Sequence, residues 1–294
     1  MITETAQTML TEDVASLLKK SVSNGMPPLD AELLLLHVLG CETYGRAWLR
    51  ANEAKGIPQP LNAAYQQLCA RRIANEPLAY ITGLREFYGL QLQIDSRVLD
   101  PRPDTETLVD WALDVLRDIS HPRLVDLGTG SGAVALALQH QRPDAHVLAV
   151  DASADALAVA QANAQRLKLP VQYSKGSWLD PLASIKPTVK WHLIASNPPY
   201  IAENDQHLAK LHHEPRMALT SGADGLTDIR HIIRDAPFHL CREGWLLLEH
   251  GYNQAEAVQT LMRERGFTAV QSRNDLAGVV RCTGGTWIGA SDTR

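Results

Sequence analysis

Cysteine is scarce in this chain, and the few that occur show no paired spacing. Cys41, Cys69, Cys241 and Cys282 are scattered over 294 residues, so we expect reduced thiols with neither a disulfide framework nor a zinc site. Long apolar runs are also missing, which argues against a membrane-spanning helix. Residues 1–10 contain no basic stretch followed by an apolar one, as an export signal would require. We therefore expect a cytoplasmic protein without a bound metal or a membrane partner.

The chain also lacks the excess of positive charge that is typical of proteins dedicated to nucleic acids. Its formal net charge is −5 and its pI is about 6.1, whereas nucleic-acid-binding domains are usually basic. We therefore expect no direct nucleic-acid partner. A length of 294 residues allows a sizeable core and predicts two domains.

What the chain does contain is a glycine-rich segment between two apolar stretches. Residues 124–127 are typical of a buried strand, 128–132 are Gly-Thr-Gly-Ser-Gly, and 133–138 are typical of a helix. Glycines allow positive φ and a close approach of the backbone to a ligand, and the helix N-terminus offers free amide hydrogens. Alone, such a turn also fits dinucleotide enzymes and plain tight turns.

An acidic residue further along narrows the choice of ligand. Asp151 ends the apolar stretch 147–150 and falls 19 residues after Gly132, where a carboxylate would accept both hydroxyls of a ribose. It could also cap the helix that follows. The pattern Asp-x-Gly-x-Gly-x-Gly differs from the one that holds a pyrophosphate, and S-adenosylmethionine has a ribose but no pyrophosphate. We expect that cofactor, with these candidate binding residues: Asp126, Gly128, Thr129, Gly130, Ser131, Gly132 and Asp151.

The segment Asn-Pro-Pro-Tyr at 197–200 follows a second buried stretch, 193–195. Its two prolines end the strand and fix the backbone. The Asn197 side-chain oxygen and the Pro198 carbonyl can each accept one hydrogen of a planar NH2 group, and Tyr200 can stack on that group's face. We predict Asn197, Pro198 and Tyr200 as catalytic, the whole segment including Pro199 as substrate-binding, and Asn197 as a cofactor contact too. The alternative interpretation is that this segment only ends the strand and has a structural role.

The organisation of the chain changes near residue 84. Helical periodicity dominates before it, with a candidate cap at Thr11 and a helix end at Gly40. Alternation at 90–94 predicts a hairpin strand, and from 106 onward strands and helices alternate as in a parallel α/β sheet. We predict a helical domain over 1–84, a β-hairpin linker over 85–105 and an α/β domain over 106–294. Late strand candidates are 245–249, 267–272 and 279–282.

Several stretches together resemble the class I S-adenosylmethionine-dependent methyltransferases, and in detail the HemK/PrmC family. They lie in order along nearly the whole chain, at 77–83, 85–89, 101–106, 126–132, 197–200, 214–219 and 247–251. The resemblance implies a seven-stranded Rossmann-like sheet whose last strand is antiparallel. It implies methylation of the glutamine side-chain amide in the Gly-Gly-Gln motif of peptide chain release factors. It also implies that Trp178 flanks the adenine, with Ser177 standing where the family often has an acidic residue.

Other interpretations of the same residues stay open at this point. A ribosomal-protein glutamine methyltransferase or a nucleic-acid amino-methyltransferase would use the same four-residue segment, and a non-catalytic module could bind an adenosine ligand. Arg102 and Glu106 could pair with each other or contact a ligand, and His212 and His213 are predicted as loop residues. We expect a monomer in which the helical domain recognises the release factor.

Overall fold

A computed structural model of the chain describes residues 10–184 and 189–289. These residues form two compact units, one ending at Gly83 and the other beginning at Leu84, and each unit has an apolar core of its own. The prediction about an export signal concerns residues 1–10, of which 1–9 lie outside the described part of the chain. Residues 290–294 of the predicted α/β domain lie outside it as well.

The first unit, which we call the helical unit, contains five α-helices and a small antiparallel pair of strands in its described part. The helices are α1 Val14–Ser23, α2 Pro28–Leu39, α3 Gly45–Ala51, α4 Gln59–Ile73 and α5 Leu78–Thr82. The strands are β1 Leu10–Asp13 and β2 Gly56–Pro58. Both strands were missed in the sequence, because each is too short to show an alternating pattern.

The ends of α1 and α2 follow ordinary capping chemistry. Asp13 caps α1, since its Oδ1 accepts the backbone N–H of Ser16 at 2.7 Å. The predicted cap at Thr11 is wrong, because Thr11 lies within β1 and the helix begins only at Val14. Gly40 ends α2 as predicted, with φ of 62° in the left-handed region where glycine carries no steric cost.

The second unit, which we call the sheet unit, begins with the predicted hairpin. Its strands β3 Leu84–Phe87 and β4 Leu90–Gln93 pair antiparallel. Asn163 fixes the end of the hairpin, since its amide accepts from Gln93 N at 2.7 Å and donates to Gln93 O at 2.9 Å. The same amide also donates to Ser131 O, in the glycine-rich segment, at 3.1 Å.

A seven-stranded sheet forms the centre of this unit. Its strands are β5 Arg123–Leu127, β6 His146–Asp151, β7 Gln172–Lys175, β8 Trp191–Ser196, β9 Leu240–Glu249, β10 Thr268–Asn274 and β11 Val280–Trp287, in the spatial order β10-β11-β9-β8-β5-β6-β7. The strands from β9 to β7 pair in parallel, while β11 is antiparallel to both of its neighbours. This confirms the predicted α/β sheet with an antiparallel last strand.

Helices flank the sheet, and apolar side chains cover both of its faces. The helices are α6 Glu106–Val115, α7 Ala133–Gln141, α8 Ala154–Leu167, α9 Thr227–Asp235 and α10 Ala255–Arg265. Leu124 packs into one core and Val125 into the other, because successive strand residues point to opposite faces. The parallel register brings the carboxyl ends of β5, β6 and β8 to the same edge of the sheet, where ligands bind in open α/β folds.

Candidate active site

The glycine-rich segment connects β5 to α7 as predicted. Gly128, Gly130 and Gly132 all have positive φ, at 67°, 56° and 86°. The N–H groups of Gly128 and Thr129 both donate to Val150 O on the neighbouring strand, at 2.8 and 3.0 Å. These bonds hold the segment against β6, so that its backbone lines the edge of the sheet.

The carboxylate of Asp126 is buried beneath this segment. Its Oδ2 accepts the Thr129 hydroxyl at 2.6 Å and the Ala135 N–H at 3.1 Å. Burial raises the pKa of Asp126 to about 7, although both of these hydrogen bonds lower it. The side chain therefore ties β5 to the start of α7 and shapes the segment from below.

Asp151 ends β6 and holds the segment from the side. Its Oδ2 accepts Gly130 N at 2.9 Å and its Oδ1 accepts Ser153 N at 2.8 Å. The N-cap of α8 is Ser153, whose hydroxyl accepts Ala156 N at 3.2 Å, and not Asp151. Each carboxylate oxygen of Asp151 thus keeps lone pairs for a ligand's hydroxyl groups.

A cavity of about 270 Å³ opens at this edge of the sheet. Its described lining includes six predicted site residues together with Ser177: Gly128, Gly130, Asp151, Trp178, Asn197 and Pro199. The other predicted cofactor residues, Asp126, Thr129, Ser131 and Gly132, are not among the lining residues. They contribute to the conformation of the segment that lines the cavity.

Trp178 forms part of the cavity wall and is held in place by Asp228. The indole N–H donates to Asp228 Oδ1 at 3.1 Å, and Asp228 N donates to Ser221 Oγ at 2.8 Å. Trp178 has a φ of 46°, and its ring lies beside Gly128, where an added Cβ would be 3.3 Å from Cζ3. Asp228 was missed in the sequence, because it lies in the first turn of α9, far from any motif.

The Asn-Pro-Pro-Tyr segment follows β8 at the same edge. Ser196, the last residue of the strand, donates its hydroxyl to Leu127 O at 2.8 Å and so joins the ends of β8 and β5. Asn197 Nδ2 donates to Thr105 Oγ1 at 3.1 Å. Because the NH2 side of the amide is engaged there, Oδ1 is the side that can accept from a ligand.

A second cavity of about 240 Å³ adjoins the first. It is lined by Leu99, Arg102, Asn197, Pro198, Tyr200, Ile201, Leu211, Ala218 and Leu219. Leu99, Asn197 and Ala218 line both cavities. Asn197 therefore lies where a ligand in one cavity would meet a ligand in the other.

Tyr200 is anchored by a buried acid that the sequence did not single out for a role. Its hydroxyl donates to Glu249 Oε1 at 3.3 Å, and Glu249 is only 1% exposed. Burial raises the pKa of Glu249 to about 7, and burial beside that carboxylate raises the pKa of Tyr200. The Tyr200 hydroxyl is therefore a neutral donor, and its bond to Glu249 fixes the position of the Tyr200 ring at the second cavity.

Arg102 lines the second cavity from within a cluster of charged residues. Its Nη2 donates to Glu214 Oε1 at 2.5 Å, and its Nη1 lies 3.6 Å from Asp100 Oδ2. The alternative pairing with Glu106 is wrong, because Glu106 Oε1 instead accepts Tyr88 N at 3.0 Å. The two carboxylates hold the Arg102 guanidinium at the cavity, and Asp100 is shared with Arg85, whose Nε lies 3.3 Å from its Oδ1.

The remaining sequence candidates lie away from both cavities. His212 and His213 occupy a turn, as predicted, and their rings lie with centroids 4.1 Å apart and planes tilted by 40°. Among the residues that the structure describes, no group of three or more histidine, cysteine or acidic side chains is arranged to hold a metal ion. The helices of the described ranges include none long and apolar enough to cross a membrane.

Two family models match the chain in the order of its two units. The model described as the PrmC N-terminal domain matches residues 10–83, and the model described as the methyltransferase small domain matches residues 109–225. The first match falls within the helical unit, and the second covers the glycine-rich segment and the Asn-Pro-Pro-Tyr segment.

Relatives similar over most of their length carry one and the same name. The release factor glutamine methyltransferase of Bordetella pertussis is 46% identical, with 89% of this chain and 95% of the relative covered. That of Vibrio cholerae is 45% identical over 89% of this chain and 90% of the relative. That of Burkholderia pseudomallei is 44% identical over 87% of this chain and 91% of the relative.

Solved structures with low sequence identity share the fold. A methyltransferase from Pyrococcus furiosus is 17% identical, with a TM-score of 0.50 over 77% of this chain and 100% of its own. The hMettl16 catalytic domain, in complex with the MAT2A 3′UTR hairpin 1, is also 17% identical. Its TM-score is 0.56, over 80% of this chain and 82% of its own. At this identity the likeness supports the fold alone.

Proposed function

The chain belongs to the release factor glutamine methyltransferase family, and on that premise we propose that it methylates the side-chain amide nitrogen of the glutamine in the Gly-Gly-Gln motif of peptide chain release factors. The observation that carries this proposal is the position of Asn197. Its amide lies between two adjoining cavities with its NH2 side engaged by Thr105, so its oxygen is available to accept from a substrate amide.

The first cavity suits S-adenosylmethionine, which supplies an electrophilic methyl group on a sulfonium when bound. Asp151 would accept the ribose hydroxyls, because each of its oxygens has only one backbone partner. Trp178 would flank the adenine, since Asp228 fixes its ring along the wall. The backbone at Gly128 and Gly130 borders the same space without side chains. We propose these four residues and Asn197, which lines the same cavity, as the cofactor-binding set, with Asp126, Thr129, Ser131 and Gly132 supporting the segment.

The second cavity suits the glutamine side chain. Asn197 Oδ1 and the Pro198 carbonyl would each accept one N–H hydrogen of the carboxamide, and Tyr200 would stack on its plane. Accepting both hydrogens raises the electron density on a nitrogen whose lone pair is delocalised into its carbonyl. It also aims that lone pair toward the first cavity.

This arrangement does not require a strong base. As the nitrogen–methyl bond forms and the sulfur–methyl bond breaks, the nitrogen becomes acidic, and its extra proton can leave to water or to a neighbouring carbonyl. His212 and His213 line neither cavity and are given no role. Placement of the acceptor is therefore the main contribution of the protein, and it can supply several kcal/mol through effective concentration.

We further propose that the helical unit recognises the release factor, with residues 85–105 as a linker to the catalytic part, and that the enzyme acts as a cytoplasmic monomer without binding nucleic acid. Two observations support the protein substrate. The match to the PrmC N-terminal domain covers the helical unit, and the overall charge of −5 is unfavourable for nucleic acid.

Transfer of a labelled methyl group from S-adenosylmethionine to three purified acceptors tests the proposal: a release factor, a ribosomal protein and DNA. We expect label only on the release factor, at the Gly-Gly-Gln glutamine located by peptide mass spectrometry. Label on DNA or on the ribosomal protein in place of the release factor would contradict the proposed substrate. The monomer is checked in the same samples by light scattering.

A further inference from the structure

The carbonyl group at the end of the Asn-Pro-Pro-Tyr segment is held by a side chain that lies outside both cavities. Gln254 stands at the N-terminus of α10 and lines neither the first cavity nor the second. Its Nε2 donates to Tyr200 O at 3.0 Å and to Asp224 O at 3.3 Å, while its Oε1 accepts from Gly251 N at 2.8 Å. One side-chain amide therefore joins three separate stretches of backbone.

The direction of the Gln254 amide is fixed by the chemistry of its partners. A backbone N–H can only donate and a backbone carbonyl can only accept. The side-chain oxygen must therefore face Gly251 N, and the two hydrogens of the NH2 group match the two carbonyls. A reversed amide would place an oxygen against two carbonyl oxygens and would lose all three bonds.

The backbone around Tyr200 leaves its carbonyl little room to move. Ile201, the next residue, is held by backbone bonds to residues 219–221, since its N–H donates at 2.9 Å and its carbonyl accepts at 3.0 Å. On another side lies Gly225, where an added Cβ would be only 2.2 Å from Tyr200 O. The Tyr200 carbonyl is thus packed against a glycine and tied to Gln254.

The two carbonyl partners of Gln254 belong to different halves of the proposed site. Tyr200 lines the second cavity. Asp224 shortly precedes Asp228, whose carboxylate holds the Trp178 indole at the wall of the first cavity. Gln254 therefore connects the segment proposed to bind the acceptor with the loop that supports the wall proposed to flank the cofactor.

We propose that Gln254 is a positioning residue for methyl transfer, because it holds Tyr200 by its main-chain carbonyl in a fixed place relative to the loop that supports Trp178. This inference rests on the proposed function, in which the Asn-Pro-Pro-Tyr segment binds the acceptor amide. Gln254 acts on the placement of the segment and not by touching a ligand. A misplacement of about 1 Å at a reacting group can lower a rate by about 100-fold.

The test uses two variants of Gln254 and one matched control. Gln254→Glu keeps the size of the side chain and the oxygen that faces Gly251, but it replaces the NH2 group by an oxygen that opposes two carbonyls. Gln254→Met keeps a similar length and removes all three bonds. Gln271→Glu makes the same change of charge at an exposed position of the edge strand β10.

We expect Gln254→Glu and Gln254→Met each to lower the single-turnover rate of methyl transfer by about 10- to 100-fold. Gln271→Glu should keep the wild-type rate. The Kd for S-adenosylmethionine, measured by calorimetry, should stay within about threefold in all three variants, because no cavity-lining side chain is removed and Trp178 keeps its bond to Asp228. Wild-type rates in both Gln254 variants would overturn the inference.

A double-variant cycle with Tyr200→Ala separates positioning from a merely structural role. If Gln254 acts through residue 200, Gln254→Met should lower the rate by less than about threefold once the Tyr200 ring is absent. A general structural defect would instead cost the same factor in both backgrounds. That equal loss, or a parallel loss of S-adenosylmethionine binding, would overturn the inference.

The same measurements distinguish this inference from the proposed substrate. Rates are taken on whichever of the three acceptors the wild-type enzyme labels. Failure to label the release factor rejects the proposed substrate, whereas the Gln254 variants are still compared on the acceptor that is labelled. Urea denaturation of each variant shows that the rates compare folded proteins.

Discussion

The helical unit and the sheet unit differ in what they bury. In the helical unit, as far as it is described, Ser21 is the one buried polar residue apart from the tyrosines Tyr65 and Tyr80, and its hydroxyl donates to Leu17 O at 2.9 Å. In the sheet unit many polar side chains are enclosed, among them Asp126, Glu249 and Thr105 behind the two cavities.

This difference in buried polar groups reflects different roles of the two units. Enclosing a polar group costs free energy unless each of its atoms is bonded, and a bonded group loses its freedom to reorient. The sheet unit accepts that cost at the strand ends, where a ligand must meet groups of fixed direction. The apolar core of the helical unit fixes a shape instead, so its effect on catalysis should be confined to the protein substrate.

The largest expected effect comes from the amide between the two cavities. Asn197→Ala should lower kcat by about 10²- to 10³-fold, because the acceptor for one substrate hydrogen is lost. The Kd for S-adenosylmethionine should change little, and single-turnover kinetics with calorimetry would show both. Asn253→Ala, in an exposed turn of the same unit, is the control. If Asn197→Ala reacts at the wild-type single-turnover rate, the fixed polar groups of the sheet unit are not needed for methyl transfer.

Removing the helical unit tests whether that unit acts on the protein substrate alone. A chain that begins at Leu84 should lose about 100-fold or more in kcat/KM for the release factor, as expected when several central interface contacts disappear. Its S-adenosylmethionine affinity should persist, since every lining residue of the first cavity lies in the sheet unit. Far-UV circular dichroism checks the fold. Equal activity of the shortened and full chains would reject the recognition role.

Within the sheet unit, the role of Asp151 at the proposed ribose site can be separated from the effect of its charge. Asp151→Ala should weaken S-adenosylmethionine binding by about 10- to 100-fold, because hydrogen bonds to a charged acceptor are each worth about 1.5–3 kcal/mol. Asp155→Ala removes the same charge from an exposed position in the first turn of α8 and should leave the Kd unchanged. Equal effects of the two variants would show that only the charge matters.

The smallest effect is expected from crowding beneath the glycine-rich segment. Gly132 has φ of 86°, and a Cβ there would lie 3.0 Å from Leu136 Cδ1 and 3.2 Å from Ala160 Cβ. Gly132→Ala should lower the free energy of unfolding by about 1–3 kcal/mol. Gly278→Ala has a similar φ of 81° but open space around it, so the difference in urea denaturation isolates the crowding. No difference would mean that the segment moves aside easily.

Much of the fold was predictable because its signals are local. The apolar stretches 124–127, 147–150 and 193–195 became β5, β6 and β8, and the antiparallel last strand followed from the family resemblance. The edge strand β7 gave no such signal, since Gln172–Lys175 is polar and lies at the end of the sheet. An edge strand has one neighbour and can stay polar on its free side.

The candidate site was predictable only where the chain itself places residues together. The glycine-rich and Asn-Pro-Pro-Tyr segments are continuous, so their spacing carried the information. Thr105 meets Asn197 across 92 positions, and Tyr200 meets Glu249 across 49. Contacts of that kind depend on the register of the sheet and on where α6 begins, and a single sequence specifies neither by periodicity.

The bond from Ser196 to Leu127 latches together the two strand ends that carry the glycine-rich and Asn-Pro-Pro-Tyr segments. Since both strands lie in the middle of the sheet, the spacing between these two segments is built into the framework. Entry and exit of ligands must then be accommodated by the outer wall. That wall includes Ala218, which lines both cavities, and Met217, which lines the first and is 60% exposed.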